Sequence, residues 1–320
     1  MRQSLKVLVL AASALFALPT VAAETVNLSI ATGGTGGVYY PLGGGMANVF
    51  SKNIPGMTAT AEVTGGSVAN LQLIGTGKPY IALAQADATI DAYNGEGKFK
   101  SGKVPVRAMM LLYTNLMHAV TVEGTGINSI ADLKGKRVST GSPGSATEVF
   151  AFRVLEAAGI DPNKDIRKER LGASESVNAI KDKKIDAFFF VVGLPTSSVT
   201  DLASTPGVKI KFLDHANLLP AMVKKNGNIY IADVIPKGTY AGMDKDNQAT
   251  AVANLLVANA NMSDEAVYNI VKTIFDRQKD LIAVHKAAAD IKLDKQKPDA
   301  SPVPWHPGAV KYYKEKGLKF

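Results

Sequence analysis

Glycine and hydroxyl residues recur in this chain where a strand pattern gives way to a helix pattern. The first run is TGGTGGVYYPLGGG, residues 32–45, between VNLSIA and MANVFSKNI. Glycine loses more freedom on folding than any other residue, so the run carries an entropic cost. Two readings account for it: a loose surface loop, or a backbone that approaches a ligand closely and aims N–H groups at an anion. In the second reading Thr35, Gly36 and Gly37 form a backbone nest for a carboxylate. Tyr39 and Tyr40 follow as aromatic walls able to donate a phenol hydrogen bond, with one of the two expected to serve packing alone.

Two further runs repeat the arrangement. STGSPGSATE, residues 139–148, brings Ser142, Gly144, Ser145 and Thr147 to a helix start, where the dipole favours negative charge. Its competing reading is a capping box of Ser145 and Glu148. VTGGSVANLQL places Ser67 as a helix cap, with Asn70 one turn on, facing the same cleft or solvating the helix surface. ALAQADA puts Gln85 at a strand end, suited to a ligand carboxylate or amide. Asp87 follows, as a helix cap or as the partner of a ligand ammonium. Open α/β sheets bind ligands at such junctions, beyond the carboxyl ends of parallel strands.

Other chemistries find little support. From Gly34 the dinucleotide pattern fails, because Tyr39 stands where its last glycine belongs, and no phosphate-loop pattern occurs. There is no cysteine, and the four histidines, His118, His215, His285 and His306, sit in no H-E-x-x-H. No G-x-S-x-G elbow and no metal-spaced acid–histidine cluster is present. A binding protein that needs no cofactor and no metal is favoured over an exported hydrolase.

The elements that must position these residues alternate as strand and helix. VNLSIA, TATAEV, YIALAQ and VPVRAMMLLY read as strands, with helices from about Leu42, at Ser67 and after Gln85. A second unit starts near His118, with strands at KRVS, DAFFFVV and VKIKFL, and NIYIADVIP returns from it. The remainder, including SDEAVYNIVKTIFDRQKDLIAVHKAAAD, reads as largely helical. This order predicts α/β units with parallel sheets covered by helices.

Residues 1–23 read as a secretory leader: basic at Arg2 and Lys6, apolar from Val7 to Ala17, with cleavage after Ala23. The apolar run is shorter than the ~20 residues of a membrane span. The mature protein is expected to be soluble and exported. The whole-chain charge of +8 is dispersed, without a dense basic run, so no nucleic-acid partner is expected.

Five segments, in order, resemble the TAXI family, the solute-binding proteins of tripartite ATP-independent periplasmic (TRAP) transporters. They are IATGGTGGVYYPLGGGMAN, EVTGGSVANLQLI, ALAQADATIDAYNGEGKF, LKGKRVSTGSPGSATEVFAFRVLEAAGI and KIDAFFFVVGLPTSSVTDLA. The resemblance runs from Val26 to about Leu219, and more faintly to the C-terminus. It implies a type II periplasmic-binding-protein fold: two α/β lobes, two crossover strands and a ligand between the lobes. Lobe 1 would be residues 24–116 and 229–320 and lobe 2 residues 117–228, with crossovers near Leu116–Val122 and Asn228–Ile235. It also implies the periplasm as the location, and a monomer that captures a small organic anion, a glutamate-like amino acid or a dicarboxylate. A membrane-embedded permease driven by an ion gradient would receive it. The family's glycine-tyrosine loop falls on Gly36, Gly37, Tyr39 and Tyr40, its second loop on Ser67 and Asn70, and its glutamine on Gln85. Its distal helix start falls on Ser142, Gly144, Ser145 and Thr147, with Ala146 where many relatives carry glycine. Gly193 and Pro195 would border the cleft. A sensor that hands its ligand to a receptor kinase, or the binding protein of an ATP-driven importer, would share this fold.

Overall fold

The computed structural model describes residues 26–320; the leader and its cleavage site lie outside the described residues. The chain begins with three strand–helix pairs: β1 (Val26–Ala31), α1 (Tyr39–Asn53), β2 (Met57–Glu62), α2 (Ser67–Gly75), β3 (Tyr80–Gln85) and α3 (Ala86–Asn94). β4 (Val106–Val122) then runs unbroken for 17 residues. The central segment follows: β5 (Arg137–Ser139), α4 (Ala146–Ala157), β6 (Arg167–Glu169), α5 (Ala173–Lys181), β7 (Ala187–Val192), α6 (Ser197–Ala203), β8 (Ile210–Phe212) and α7 (Leu219–Asn226). The chain returns through β9 (Tyr230–Ile235) and β10 (Asn247–Asn259) and closes with α8 (Asp264–Asp276), α9 (Gln278–Val284) and α10 (Pro307–Glu315).

The strands form one sheet of order β2-β1-β3-β10-β4-β7-β5-β6, with β8 beside β4 and β9 beside β10. β1 is parallel to β2 and β3, and β5 is parallel to β6 and β7, as strand–helix–strand crossovers require. The two long strands are antiparallel to their neighbours and serve both ends of the sheet. β4 pairs with β10 between Val106 and Leu116, and with β7 between Leu116 and Thr121. β10 pairs with β9 through Asn247–Val252 and with β3 through Asn254–Ala258. Apolar clusters fill the spaces between sheet and helices, one around Leu28, Phe50 and Ile274, another around Phe150, Leu155 and Leu255.

Several expectations need correction. The strand Tyr230–Ile235 at the expected second crossover pairs with β10 alone, whereas β10 itself runs from β9 to β3 and β4. The stretch after residue 246 is therefore not largely helical, and its helical part breaks at Arg277 and again after Val284. His118 lies inside β4 and not at the start of an element. α1 starts at Tyr39, three residues before the expected Leu42. Two of the three glycines inside α1 are explained by packing: a Cβ at Gly43 would overlap the Thr32 methyl, and one at Gly45 would sit 3.1 Å from Val284 Cγ2, whereas one at Gly44 would meet nothing. They let the helix settle closely on β1 and α9.

His118 and His215 are fully buried, and their Nδ1 atoms lie 3.0 and 2.8 Å from the carbonyl oxygens of Leu116 and Leu213. Tyr240 Oη is 2.9 Å from His118 Nε2. Burial pushes both imidazoles down to about 4. The unfolded chain takes up these protons near pH 6.5 and the folded chain only near pH 4. Stability is thus full above pH 6.5 and is lost as the pH falls from there to about 4. Urea unfolding across that window should show the fall, and His118→Gln should make it shallower. An equally steep fall in the variant would contradict this assignment.

Candidate functional site

Four strand-to-helix junctions meet around a cleft of about 270 Å3, and Gln85, the N-cap of α3, reaches it from a fifth. They lead into α1, α2, α4 and α5, the first two from the N-terminal pairs and the others from the central segment. Each junction brings a helix N-terminus, whose first N–H groups have no partner within the helix. Ser67 begins α2, Ala146 and Thr147 begin α4, and Ala173 and Ser174 begin α5, and all five residues line the cleft. The side walls are apolar, from Val63, Leu171, Phe190 and Val192.

Nine of the residues singled out from the sequence line this cleft: Thr35, Gly36, Gly37, Tyr39, Ser67, Gln85, Ser142, Ser145 and Thr147. Their hydroxyls are less free than expected. Ser145 caps α4 by accepting from Glu148 N at 3.2 Å, and donates to Ser142 O at 2.7 Å. The capping box is half made, since the Glu148 carboxylate turns instead to Arg170 and Lys98. Ser67 is not the cap of α2; Gly66 holds that position with φ 115°, and Ser67 Oγ accepts from Gln85 N at 3.1 Å. Thr147 Oγ1 accepts from Val191 N at 3.3 Å.

Beneath the loop, Tyr39 donates to Asn254 Oδ1 at 2.6 Å, and Asn115 Nδ2 donates to the Tyr39 hydroxyl at 3.4 Å. Burial pushes the Tyr39 phenol up, so it stays a neutral donor. Gln85 Oε1, Asn115 Oδ1 and Asn254 Nδ2 are buried without a protein partner. Leaving such a group unpaired costs ~1–3 kcal/mol, so a cluster of them marks a place tuned for something other than stability. Asn115 and Asn254 escaped the sequence reading because they lie inside β4 and β10.

The cleft is spanned by direct contacts in two places. Gly36 O accepts from Thr196 Oγ1 at 2.7 Å, Ser197 Oγ at 3.2 Å and Ser198 N at 3.2 Å. Gly65 O accepts from Ser142 Oγ at 3.0 Å, and Gly144 O accepts from Ala69 N at 3.0 Å. These approaches need glycine: a Cβ at Gly36 would lie 2.5 Å from Ser174 Oγ, and one at Gly65 would overlap the Pro143 carbonyl oxygen.

Six of the sequence candidates lie elsewhere. Tyr40 is 38% exposed on the outer side of α1. Asn70 is fully buried, and its Nδ2 donates to the carbonyls of Thr32 at 2.6 Å and Leu83 at 2.8 Å, tying α2 to two strand ends. Asp87 faces away from the cleft: it accepts from Tyr230 Oη at 2.9 Å and from Ala88 N at 2.8 Å, with Arg153 Nη1 at 3.7 Å. A buried carboxylate so engaged cannot receive a ligand ammonium. Gly144, at φ 79°, contacts Ala69 across the cleft without lining it. Gly193 packs beneath Tyr113, where a Cβ would lie 2.7 Å from the ring. The Pro195 carbonyl lies 3.3 Å from His285 Nε2. Conversely, the α5 junction, with Gly172, Ser174 and Glu175, was missed. Its glycine-then-hydroxyl pattern matched the others, but the preceding β6 is only Arg-Lys-Glu and carries no apolar signal.

Among the described residues no helix is long and apolar enough to cross a membrane, and no cluster of His, Asp or Glu could hold a metal ion. Comparison with solved structures finds the same architecture. MatC from Rhodopseudomonas palustris, with bound malate, is similar at 11% identity over 93% of this chain and 97% of that one, with a TM-score of 0.57. A structure described as a periplasmic transporter is similar at 13% identity over 92% and 93%, with a TM-score of 0.55. A protein from Bordetella bronchiseptica RB50 is similar at 19% identity over 92% and 98%, with a TM-score of 0.54. The fold is that of the type II periplasmic-binding proteins. The sequence pattern of the NMT1-like family matches residues 30–317, nearly the whole described chain, and the protein therefore belongs to the NMT1-like family.

Proposed function

We propose that this protein is an exported solute-binding protein that captures a small carboxylate between two closing lobes. One lobe comprises β1–β3 with α1–α3 and α8–α10, the other β5–β9 with α4–α7, and β4 and β10 act as the hinge strands. The observation that carries this reading is the convergence of helix N-termini from both groups on one cleft spanned by direct contacts. A carboxylate there meets oriented N–H groups, each helix end contributing at most ~2 kcal/mol. A micromolar ligand needs about −8.2 kcal/mol, so the Gln85 amide and the apolar walls must supply the rest. The resemblance of five ordered segments to the TAXI family favours a TRAP permease as recipient. Malate in MatC, a protein of the same fold, agrees with a carboxylate ligand.

A thermal-shift screen of monocarboxylates, dicarboxylates and amino acids tests the reading. A true ligand at 100 times its Kd adds about 2.7 kcal/mol of stability. No shift with any carboxylate would remove it. Gln85→Ala should weaken the best hit, because its amide is free to serve a ligand. Ser145→Ala should chiefly lower stability, by ~1 kcal/mol for a lost cap. The opposite pattern in chemical denaturation and titration would reverse these roles. Uptake through the permease should collapse with the ion gradient and survive ATP depletion.

A further inference from the structure

The charge around the cleft is one-sided. Among the described residues its lining holds no lysine, arginine or histidine, and one carboxylate, that of Glu175. The nearby basic groups are engaged: Arg170 Nε lies 2.5 Å and Lys98 Nζ 3.3 Å from the Glu148 carboxylate, and Arg153 serves Asp87 and Asp91. Glu175 is the third residue of α5, and its carboxylate lies over the Cα of Gly172, the cap of the same helix. The positive end of α5 is therefore already faced by an anion of the chain itself. Three helix N-termini, those of α1, α2 and α4, remain for a guest. Gln85, 4% exposed and in the lining, adds an amide whose Oε1 has no protein partner and is ready to accept from a donor on the guest.

We propose that Glu175 is a specificity-determining residue. It makes the cleft select a ligand with a single carboxylate and an apolar body, ending in a cationic or hydrogen-bond-donating group, and turn away a second carboxylate. This rests on the carboxylate-binding reading above. A second carboxylate finds no side-chain cation in the cleft and meets a like charge, whereas an ammonium finds a partner. Glu175 is exposed at the rim, so water and salt screen the effect and keep it modest.

The test is calorimetric titration at low salt with three five-carbon compounds differing at one end: pentanoate, 5-aminopentanoate and glutarate. In the wild type 5-aminopentanoate should bind tightest and glutarate weakest, with steps of about fivefold. Glu175→Gln should compress the series, and Glu175→Lys should invert it. Glutarate binding the wild type as tightly as pentanoate, or an order unchanged in both variants, overturns the proposal. If none of the three binds the folded wild type, the proposal fails; the carboxylate reading fails with it only if the wider thermal-shift screen also finds no carboxylate ligand.

Discussion

Replacing Gly65 with alanine lowers ligand affinity roughly thirtyfold, by about 2 kcal/mol, and leaves the unliganded melting temperature nearly unchanged. The backbone permits the change, because Gly65 is not among the glycines with positive φ. The obstacle is across the cleft, where the new methyl would overlap the Pro143 carbonyl oxygen. A backbone carbonyl cannot swing aside as a side chain can, and forced overpacking typically costs ~1–3 kcal/mol. In the closing-lobe reading proposed above, the clash arises as the two halves meet, so it taxes closure and spares folding. Gly36→Ala should be milder, since its first obstacle is the rotatable Ser174 hydroxyl at 2.5 Å. Titration of both variants with a ligand from the screen is decisive; wild-type affinity in Gly65→Ala would mean that binding does not need the halves together.

Arg153→Met destabilises the protein by ~3–5 kcal/mol, the range for stranding one partner of a buried ion pair. Arg153 Nη2 donates to Asp91 Oδ2 at 2.7 Å and Nη1 to Tyr230 Oη at 2.6 Å, with Asp87 Oδ2 at 3.7 Å from Nη1. Asp87 is wholly buried, and burial pushes its carboxyl up, with Arg153 opposing that rise. Without the guanidinium the rise is unopposed. A carboxyl raised above its unfolded value holds its stability at low pH and loses it as the pH climbs through the folded pKa. The deficit of the variant should therefore be large at pH 7.5 and smaller at pH 5, and Asp87→Asn in the variant should recover part of it. Equal urea midpoints for variant and wild type at pH 7.5 would rule this out. The arginine also joins α4 to α3, so its loss tests a contact between the two halves on a side away from the cleft.

The strand–helix alternation was legible because short apolar runs and helical stretches alternate from Val26 to Ile160. β10 was not. Its sequence NQATAVANLLVAN is rich in alanine and asparagine, residues with little strand preference. It is a strand because β3 and β4 flank it and bury it, a tertiary circumstance with no local signal. In the site, the glycine loops disclosed themselves because close approach demands glycine whatever the neighbours. Side-chain direction did not. Asn70 and Asp87 stand one turn beyond loops that do line the cleft, yet both point inward to partners distant in sequence: Ala31 and Leu83 carbonyls for one, Arg153 and Tyr230 for the other.

β10 also dictates when the molecule can first exist. Its register sets Val257 against Ala82 on one side and against Ala108 on the other. Closing those ladders joins residues as far apart in sequence as Ile81 and Ala258, and such non-local pairing slows folding. A nascent chain emerging from the ribosome can pair β1 with β2 and β3, but it cannot join that layer to β4 until this late segment has been made. Such late completion would suit the exported protein proposed above, whose chain must thread a translocation channel before its tertiary structure is complete.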